Sequence, residues 1–382
     1  MKKNVLIFIE SLQCGGAEKS LISLLPLLDN TRMNIDLLLL KRGGIFEQYI
    51  PENIHIIDFR QQVSPWLFRI YQALFSLRLR WNRLIGKKEH GAETRWKAMY
   101  QAYTGMPMHY DVAIAYQQGF PTYYIATMVD ANKKIAWANV DLLKAGYCAA
   151  FNRQFYKMYD NVVAVSDNLR SMLIADHFTQ ADKTIVIQDI LNVALIRQMA
   201  HQPQSEIRPG KLKLVSVGRM VYQKGYDIAV ATADILRSKG VEFVWYFVGD
   251  GTARCEIETC ICEKHLEDNI FLLGERANPY PFMLAADIYV QTSRFEGFGL
   301  TLAEARILGK PVVSTNFPVV HNQITDGING LIAEMTPESI AQKIIQLAED
   351  HLLRDKIICA ISKEENTTAN IESAKVNQMI AS

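Results

Sequence analysis

Two glutamates, Glu296 and Glu304, stand eight positions apart in SRFEGFGLTLAEA (293–305), with a glycine-interrupted turn between them. Carboxylates accept hydroxyl hydrogens. The backbone amides of Gly299, Leu300 and Thr301 would open a helix there, and free amides at a helix start attract negative charge. The combination suits a ligand with a diphosphate in its middle and hydroxyl-rich rings at both ends. Glu304 also has a structural reading: with Thr301 as N-cap it completes a T-x-x-E capping box, worth about 1 kcal/mol. Gly309 and Pro311 then end the helix. Glu296, in a turn after an apolar run, has no such structural role in the sequence.

Upstream, GRMVYQKG (218–225) places Arg219 and Lys224 just after another apolar run. Such cations could hold a diphosphate, the arginine as a bidentate fork and the lysine as a point charge; a solvated surface pair is the plain alternative. Near the N-terminus, ESLQCGGAEKS puts Gly15 and Gly16 between a strand and a helix. Glycines there let a phosphate or sugar approach the backbone, though a simple tight turn would use them equally well. VGDG (248–251) reads as a structural turn. Cys255, Cys260, Cys262 and His265 are close in sequence but fall in one helical pattern. Cys255 and Cys262 would then lie about 10 Å apart along its axis, too far for one zinc, so these cysteines are expected to be buried thiols.

The elements that must position these residues alternate between short apolar runs and longer helical patterns, the mark of a parallel α/β fold. Strands are expected at 4–10, 34–40, 54–58, 111–116, 134–138, 161–166 and 184–189, then at 213–218, 242–249, 269–274, 287–292 and 311–315. Helices between the later strands are expected at 225–239, 252–267, 301–308 and 337–350. The polar run AHQPQSEIRPGK (200–211) reads as an interdomain linker. Two doubly wound domains follow: 1–203, completed by a helix at about 365–382, and 204–364. Ligands of open α/β sheets bind beyond the strands' carboxyl ends, so two such domains imply a cleft between them.

The bulk composition agrees. The 382 residues are 49% hydrophobic and 21% charged, with a formal net charge of +1. That excludes a disordered chain and bulk electrostatic binding of nucleic acid. The apolar run after MKKN stops at Glu10, too short for a signal-peptide core, and no long apolar span follows. A cytoplasmic protein with reduced cysteines is expected.

Taken together, E-x7-E, GRMVYQKG, FVGDG, FLLGERANPYPFMLAADIYV, GKPVVST and DGINGLI resemble the family 4 glycosyltransferases of the GT-B fold over about 212–335. The first half resembles them more loosely, through GGAE, YDVAIAY, KKIAWANVD, VVAVSDNLR and VIQDILN. The resemblance implies two Rossmann-like domains across a cleft, the first binding acceptor and the second a nucleotide sugar. It implies a retaining, metal-independent hexosyl transfer with no cofactor. The acceptor would be a growing glycan or lipid-linked saccharide in cell-surface polysaccharide biosynthesis. Arg219 and Lys224 would hold the donor diphosphate and neutralise the leaving nucleotide, and Glu304 would bind the ribose. Glu296 would hold the donor sugar, with the Phe298, Gly299, Leu300 and Thr301 amides at sugar and phosphate. Glu275 and Arg276 would lie by the base, and Gly15 and Gly16 would close over the phosphates. NPYPF resembles members that use uridine diphosphate sugars. Where many relatives carry a histidine facing the donor sugar, this chain has Asn139, which can hydrogen-bond a hydroxyl but cannot transfer a proton. His109 and His321 are possible substitutes.

PWLFRIYQALFSLRLRWNRLIGKK (65–88) reads as a basic amphipathic helix. Leu67, Ile70, Tyr71, Leu74, Trp81, Leu84 and Ile85 form its apolar stripe, and Arg69, Gln72, Ser76, Arg80, Arg83 and Lys87 lie opposite. From Pro65 to Tyr100 eight Arg/Lys face two Glu. Such a helix suits peripheral contact with the anionic inner face of the cytoplasmic membrane through Arg80, Arg83, Lys87 and Lys88; a core-packed helix with a solvated basic face is the alternative. Three rivals to the transferase stand. A nucleotide-sugar epimerase would need an acid/base set that the first domain lacks. A nicotinamide oxidoreductase would need G-x-G-x-x-G. A nucleotide-sugar-binding protein without turnover gains a little credit from Asn139.

Overall fold

The apolar runs form two wholly parallel sheets among the described residues. The computed structural model describes residues 2–13, 15–59, 63–86, 89–204, 206–207, 211–296, 298–364 and 368–382. The first sheet holds β1 (Lys3–Ile9), β2 (Met33–Leu39), β3 (His55–Asp58), β4 (Tyr110–Ala115), β5 (Ala131–Ala138), β6 (Asn161–Ala164) and β7 (Thr184–Val186). The second holds β8 (Leu212–Val217), β9 (Phe243–Val248), β10 (Ile270–Gly274), β11 (Ile288–Gln291), β12 (Val312–Thr315) and β13 (Leu331–Ala333). Their orders are β3-β2-β1-β4-β5-β6-β7 and β10-β9-β8-β11-β12-β13. Each sheet therefore reverses direction once, at β1/β4 and at β8/β11, where a ligand crevice opens beyond the strand ends. Central strands are buried on both faces, as in β9 with all six residues buried, because helices cover both sides. Every strand expected from the sequence forms; only the three-residue β13 was not foreseen.

The chain divides into two compact units, 1–191 with 367–382, and 192–366. The boundary precedes the expected one. Helix Val193–Ala200 packs against helices Tyr280–Ala285 and Leu300–Ile307, burying Ile196 and Met199. The expected linker at 200–211 thus falls within the second unit, with 205 and 208–210 outside the described residues; the apolar face of the helix before it decides where the unit begins.

The first unit has an aromatic core, with Phe8, Phe120, Tyr123 and Tyr124 all at most 2% exposed. Helix Thr368–Ala381 belongs to it. The Lys3 ammonium donates to the carbonyls of Ile380 and Ala381, Lys133 donates to that of Met379, and Asn377 bonds the backbone of Leu27 and Asp29. Cations at the last helical carbonyls also oppose the helix dipole. In the second unit Trp245 and Phe247 anchor the core.

Candidate functional site

Beyond β8 the chain runs through Gly218 and Arg219 to a short 3₁₀ turn, Tyr222–Lys224. Two glycines let this loop lie flat against its neighbours. A β-carbon on Gly249 of VGDG would come 2.0 Å from the Gly218 carbonyl oxygen, so that turn is structural and braces the loop. Gly225 has φ +64°, and a β-carbon there would meet the Thr292 carbonyl oxygen at 2.1 Å. The cation loop is thereby pressed onto the chain leaving β11. Side chains fasten the contact: Arg294 grips the Asp227 carboxylate with both guanidinium nitrogens, at 2.8 and 2.5 Å, and its guanidinium lies 4.1 Å over the Tyr222 ring. The Gln223 amide donates to the Phe295 carbonyl at 2.9 Å.

The result brings Lys224 and Glu296 together. The Lys224 ammonium donates to Glu296 Oε1 at 2.6 Å, and the two side chains are only 17% and 7% exposed. The same oxygen accepts from Gln291 Nε2 at 2.7 Å and Ser293 Oγ at 2.6 Å. Gln291, buried at the end of β11, accepts at its other end from the Tyr289 hydroxyl at 2.7 Å and Thr301 Oγ1 at 3.2 Å. Burial pushes the Tyr289 phenol well above its usual range, which keeps it a donor. Glu296 thus has the structural partners that the sequence did not suggest. Arg219 is exposed, and its guanidinium has no ion-pair partner among the described residues. An exposed cation in the same loop as a second cation already neutralised can take up an incoming polyanion.

Helix Leu300–Ile307 starts one residue earlier than expected, on Gly299 at φ +88°, with no side-chain cap. The capping box therefore does not form. Thr301 turns instead to Gln291, and Glu304 is wholly buried, accepting from the Tyr280 hydroxyl at 2.9 Å. Glycine in left-handed backbone supplies the turn that an N-cap side chain would otherwise make. Gly309, at φ +70°, ends the helix as expected. Phe298 is held by the Gln323 amide, which donates to its carbonyl. Gly297 lies outside the described residues.

Residues 198–364, nearly all of this second unit, match the family described as glycosyl transferases group 1. This unit belongs to that family. The chain is 25% identical over 355 residues, 91% of each protein, to an N-acetylgalactosaminyltransferase of Campylobacter jejuni whose named acceptor is a saccharide on diphospho-undecaprenol. It is 32% identical to a poly(ribitol-phosphate) α-N-acetylglucosaminyltransferase of Staphylococcus aureus, over 36% of this chain and 28% of that one. The first curated relatives are matched over less than half of their own length. Among solved structures, Anabaena HepE with UDP and glucose aligns over 99% of this chain and 98% of its own, at TM-score 0.67 and 19% identity. TarM aligns over 100% and 99%, at 0.69 and 13%. The fold of the chain is GT-B.

Within the glycosyl transferase unit the remaining expected residues scatter. Glu304 has no exposed surface, so in this conformation it braces Tyr280 and cannot meet a ribose. Glu275 is exposed, and Arg276 pairs with Glu206 at 2.6 Å. Cys255 and Cys262 are exposed rather than buried, because helix Arg254–Glu263 buries only Ile257 and Ile261. Among the described residues no three metal-ligating side chains gather. His321 bonds Asn316. Gln291, Ser293 and Tyr280 were missed; a polar Q-T-S end to an otherwise apolar strand was the available signal for the first two.

In the first unit Gly15 caps helix Gly16–Leu24 in extended backbone. A β-carbon on Gly15 would lie 2.1 Å from Glu18 Oε2, so a carboxylate, raised above its usual range by burial and by nearby Glu10, stands beside these amides. Asn139 follows β5 and donates from Nδ2 to the Tyr116 carbonyl at 3.2 Å; its Oδ1 is buried without a partner among the described residues. His109 precedes β4 and pairs with Asp130, at the amino end of the sheet and away from the ligand edge, which removes it as a substitute histidine. Arg80 is exposed on helix Pro65–Leu84, and Arg83 belongs to that helix. Lys87 and Lys88 lie outside the described residues. The expected apolar stripe is corrected: Tyr71 packs inward with Phe68 and Phe75, while Trp66 and Leu77 join the outer face, at 66% and 58% exposed.

Proposed function

We propose that the chain transfers a hexosyl residue, with retention and without a metal, from a uridine diphosphate sugar to a growing glycan or lipid-linked saccharide. The observation that carries this reading is the Lys224–Glu296 pair beside the exposed Arg219, at the β8/β11 crevice of a group 1 glycosyl transferase unit. Arg219 and Lys224 meet the diphosphate and stabilise the charge that develops on it as the sugar leaves. Glu296, released from Lys224 by that competition, accepts hydroxyls of the donor sugar, and the Gly299–Thr301 amides face its phosphate. The first unit supplies the acceptor side, where the unpartnered Oδ1 of Asn139 is suited to a hydroxyl donor. UDP in solved structures of the same fold, and the lipid-diphosphate acceptor named for a relative matched over 91% of its length, support the donor and acceptor classes.

Among the described residues no helix is long and apolar enough to cross a membrane. A lipid-linked acceptor would bring the enzyme to the cytoplasmic membrane's inner face, where Arg80 and its basic neighbours meet anionic headgroups. The deciding experiment incubates the protein with a panel of nucleotide sugars, with and without acceptors, and measures free nucleotide. Acceptor-dependent release of UDP supports transfer. Tight binding with no release on any acceptor overturns it in favour of a sugar-nucleotide-binding protein.

A further inference from the structure

Helix Pro65–Leu84 carries two apolar faces. One packs Phe68, Tyr71 and Phe75 onto the aromatic core of the first unit, and is fixed there by Asn82, whose amide donates to Glu89 at 2.8 Å. The other is exposed among the described residues. Trp66, Ile70, Leu74, Leu77, Trp81 and Leu84 recur at three- and four-residue spacing along about 27 Å of helix, and each is between 45% and 81% exposed. Ile85 extends the ridge at 55% exposed. An apolar ridge of this length on a water-facing helix marks an interaction surface. Its borders select the occupant. Arg69 and Arg80 flank one side, both exposed and without an ion-pair partner among the described residues, and Arg78 flanks the other, 3.5 Å from Glu89. Tryptophans stand toward both ends of the ridge, and their amphipathic rings favour the headgroup boundary. A protein partner would be met by a mixed rim; arginines beside a purely apolar ridge complement phosphates above acyl chains.

We propose that this ridge inserts into the interfacial layer of an anionic bilayer, with the helix lying in the membrane plane. The inference rests on the membrane-surface reading above and changes its basis from charge alone to apolar insertion, with the arginines setting depth and lipid preference. It also explains why the helix is doubly apolar: one face holds the first unit, the other the lipid.

Tryptophan emission reads it directly. Of the five tryptophans, only Trp66 and Trp81 are exposed, while Trp96, Trp137 and Trp245 are at most 6% exposed. The full chain is mixed with vesicles of three parts phosphatidylcholine to one part phosphatidylglycerol. A blue shift, protection from a soluble quencher and co-sedimentation are expected, surviving about 0.5 M salt, where surface attraction is screened within a few ångströms. The triple variant Leu74→Gln/Leu77→Gln/Trp81→Gln should partition at least ~10-fold less at either salt, since each lost apolar contact adds to the deficit. Its UDP-induced thermal shift should match wild type, which shows it folded. Arg69→Gln/Arg80→Gln should weaken binding at low salt only. Binding abolished by salt and untouched by the triple variant overturns insertion and leaves the electrostatic contact. A concentration-dependent dimer by light scattering, lost in the triple variant and accompanied by no vesicle binding, overturns it in favour of a second copy on the ridge. No vesicle binding of any kind overturns both membrane readings, and UDP release onto a soluble acceptor would still stand separately.

Discussion

Lys224 and Glu296, 72 residues apart in sequence, neutralise each other across 2.6 Å in a mostly buried pair. A diphosphate that draws Lys224 away must leave Glu296 charged and open to a hydroxylated ring. Glu296→Gln removes the competitor while keeping the shape. We expect it to bind UDP several-fold more tightly by calorimetry, yet to lose at least ~100-fold in turnover, about 2.7 kcal/mol of transition-state stabilisation. Weaker UDP binding in this variant would show that the pair does not hold Lys224 back.

Arg219 is exposed and lacks an ion-pair partner among the described residues, so it contributes little to folding. Arg219→Ala should leave thermal stability within about 0.5 kcal/mol. UDP affinity should fall at least ~10-fold, the loss of one charge-assisted hydrogen bond of roughly 1.5–3 kcal/mol. Titration calorimetry beside a melting curve separates the two effects.

The wholly buried Glu304 takes a hydrogen bond from Tyr280. Tyr280→Phe should therefore lower stability by about 1–3 kcal/mol, the cost of weakening the satisfaction of a buried acceptor. Thr301→Ala should cost less than the ~1 kcal/mol of a lost N-cap, because Gln291 keeps its bond from Tyr289. Chemical denaturation of both variants tests the order; a larger loss for Thr301→Ala would restore the capping box.

Gly225 sits at φ +64° against the Thr292 carbonyl. Gly225→Ala should lift the cation loop off β11, lowering the melting temperature and removing UDP binding together, since steric and left-handed backbone strain of about 1–2 kcal/mol or more accompany the clash.

Burial pushes the Asp189 carboxyl up to about 6, against a hydrogen bond from Ser20, and its Oδ1 has no partner among the described residues. A carboxyl whose folded value exceeds its ordinary 3.8 binds its proton more tightly when folded. Its ionised form therefore destabilises the fold above pH 6, and stability rises as pH falls from about 6 toward 4. Asp189→Asn should melt higher than wild type at pH 8, with the gain disappearing near pH 4.5. An equal gain at both values would show that the group does not titrate in this range.

Much of this was legible in the sequence. Strand runs such as FVWYFV are buried on both faces, and nothing competes with that reading; β13, three residues long, carries too little pattern to find. The loops bearing Arg219, Lys224 and Glu296 could be placed at strand ends, but their pairing depends on Gly225 and Gly249 allowing two backbones to approach, which spacing does not encode. The capping box failed because Gly299 took the left-handed turn first. The stripe of helix Pro65–Leu84 was misplaced because two apolar faces overlap in one periodicity, and only packing separates them.

The first unit is closed by residues 367–382, which arrive after the whole of the second has been made. During synthesis, then, the second unit can fold while the first still lacks its last helix. Val376, Met379 and Ile380, each at most 5% exposed in the finished protein, complete the packing only when Lys3 and Lys133 find the final carbonyls. The unit proposed to hold the nucleotide is thus poised to mature before the one proposed to receive the acceptor.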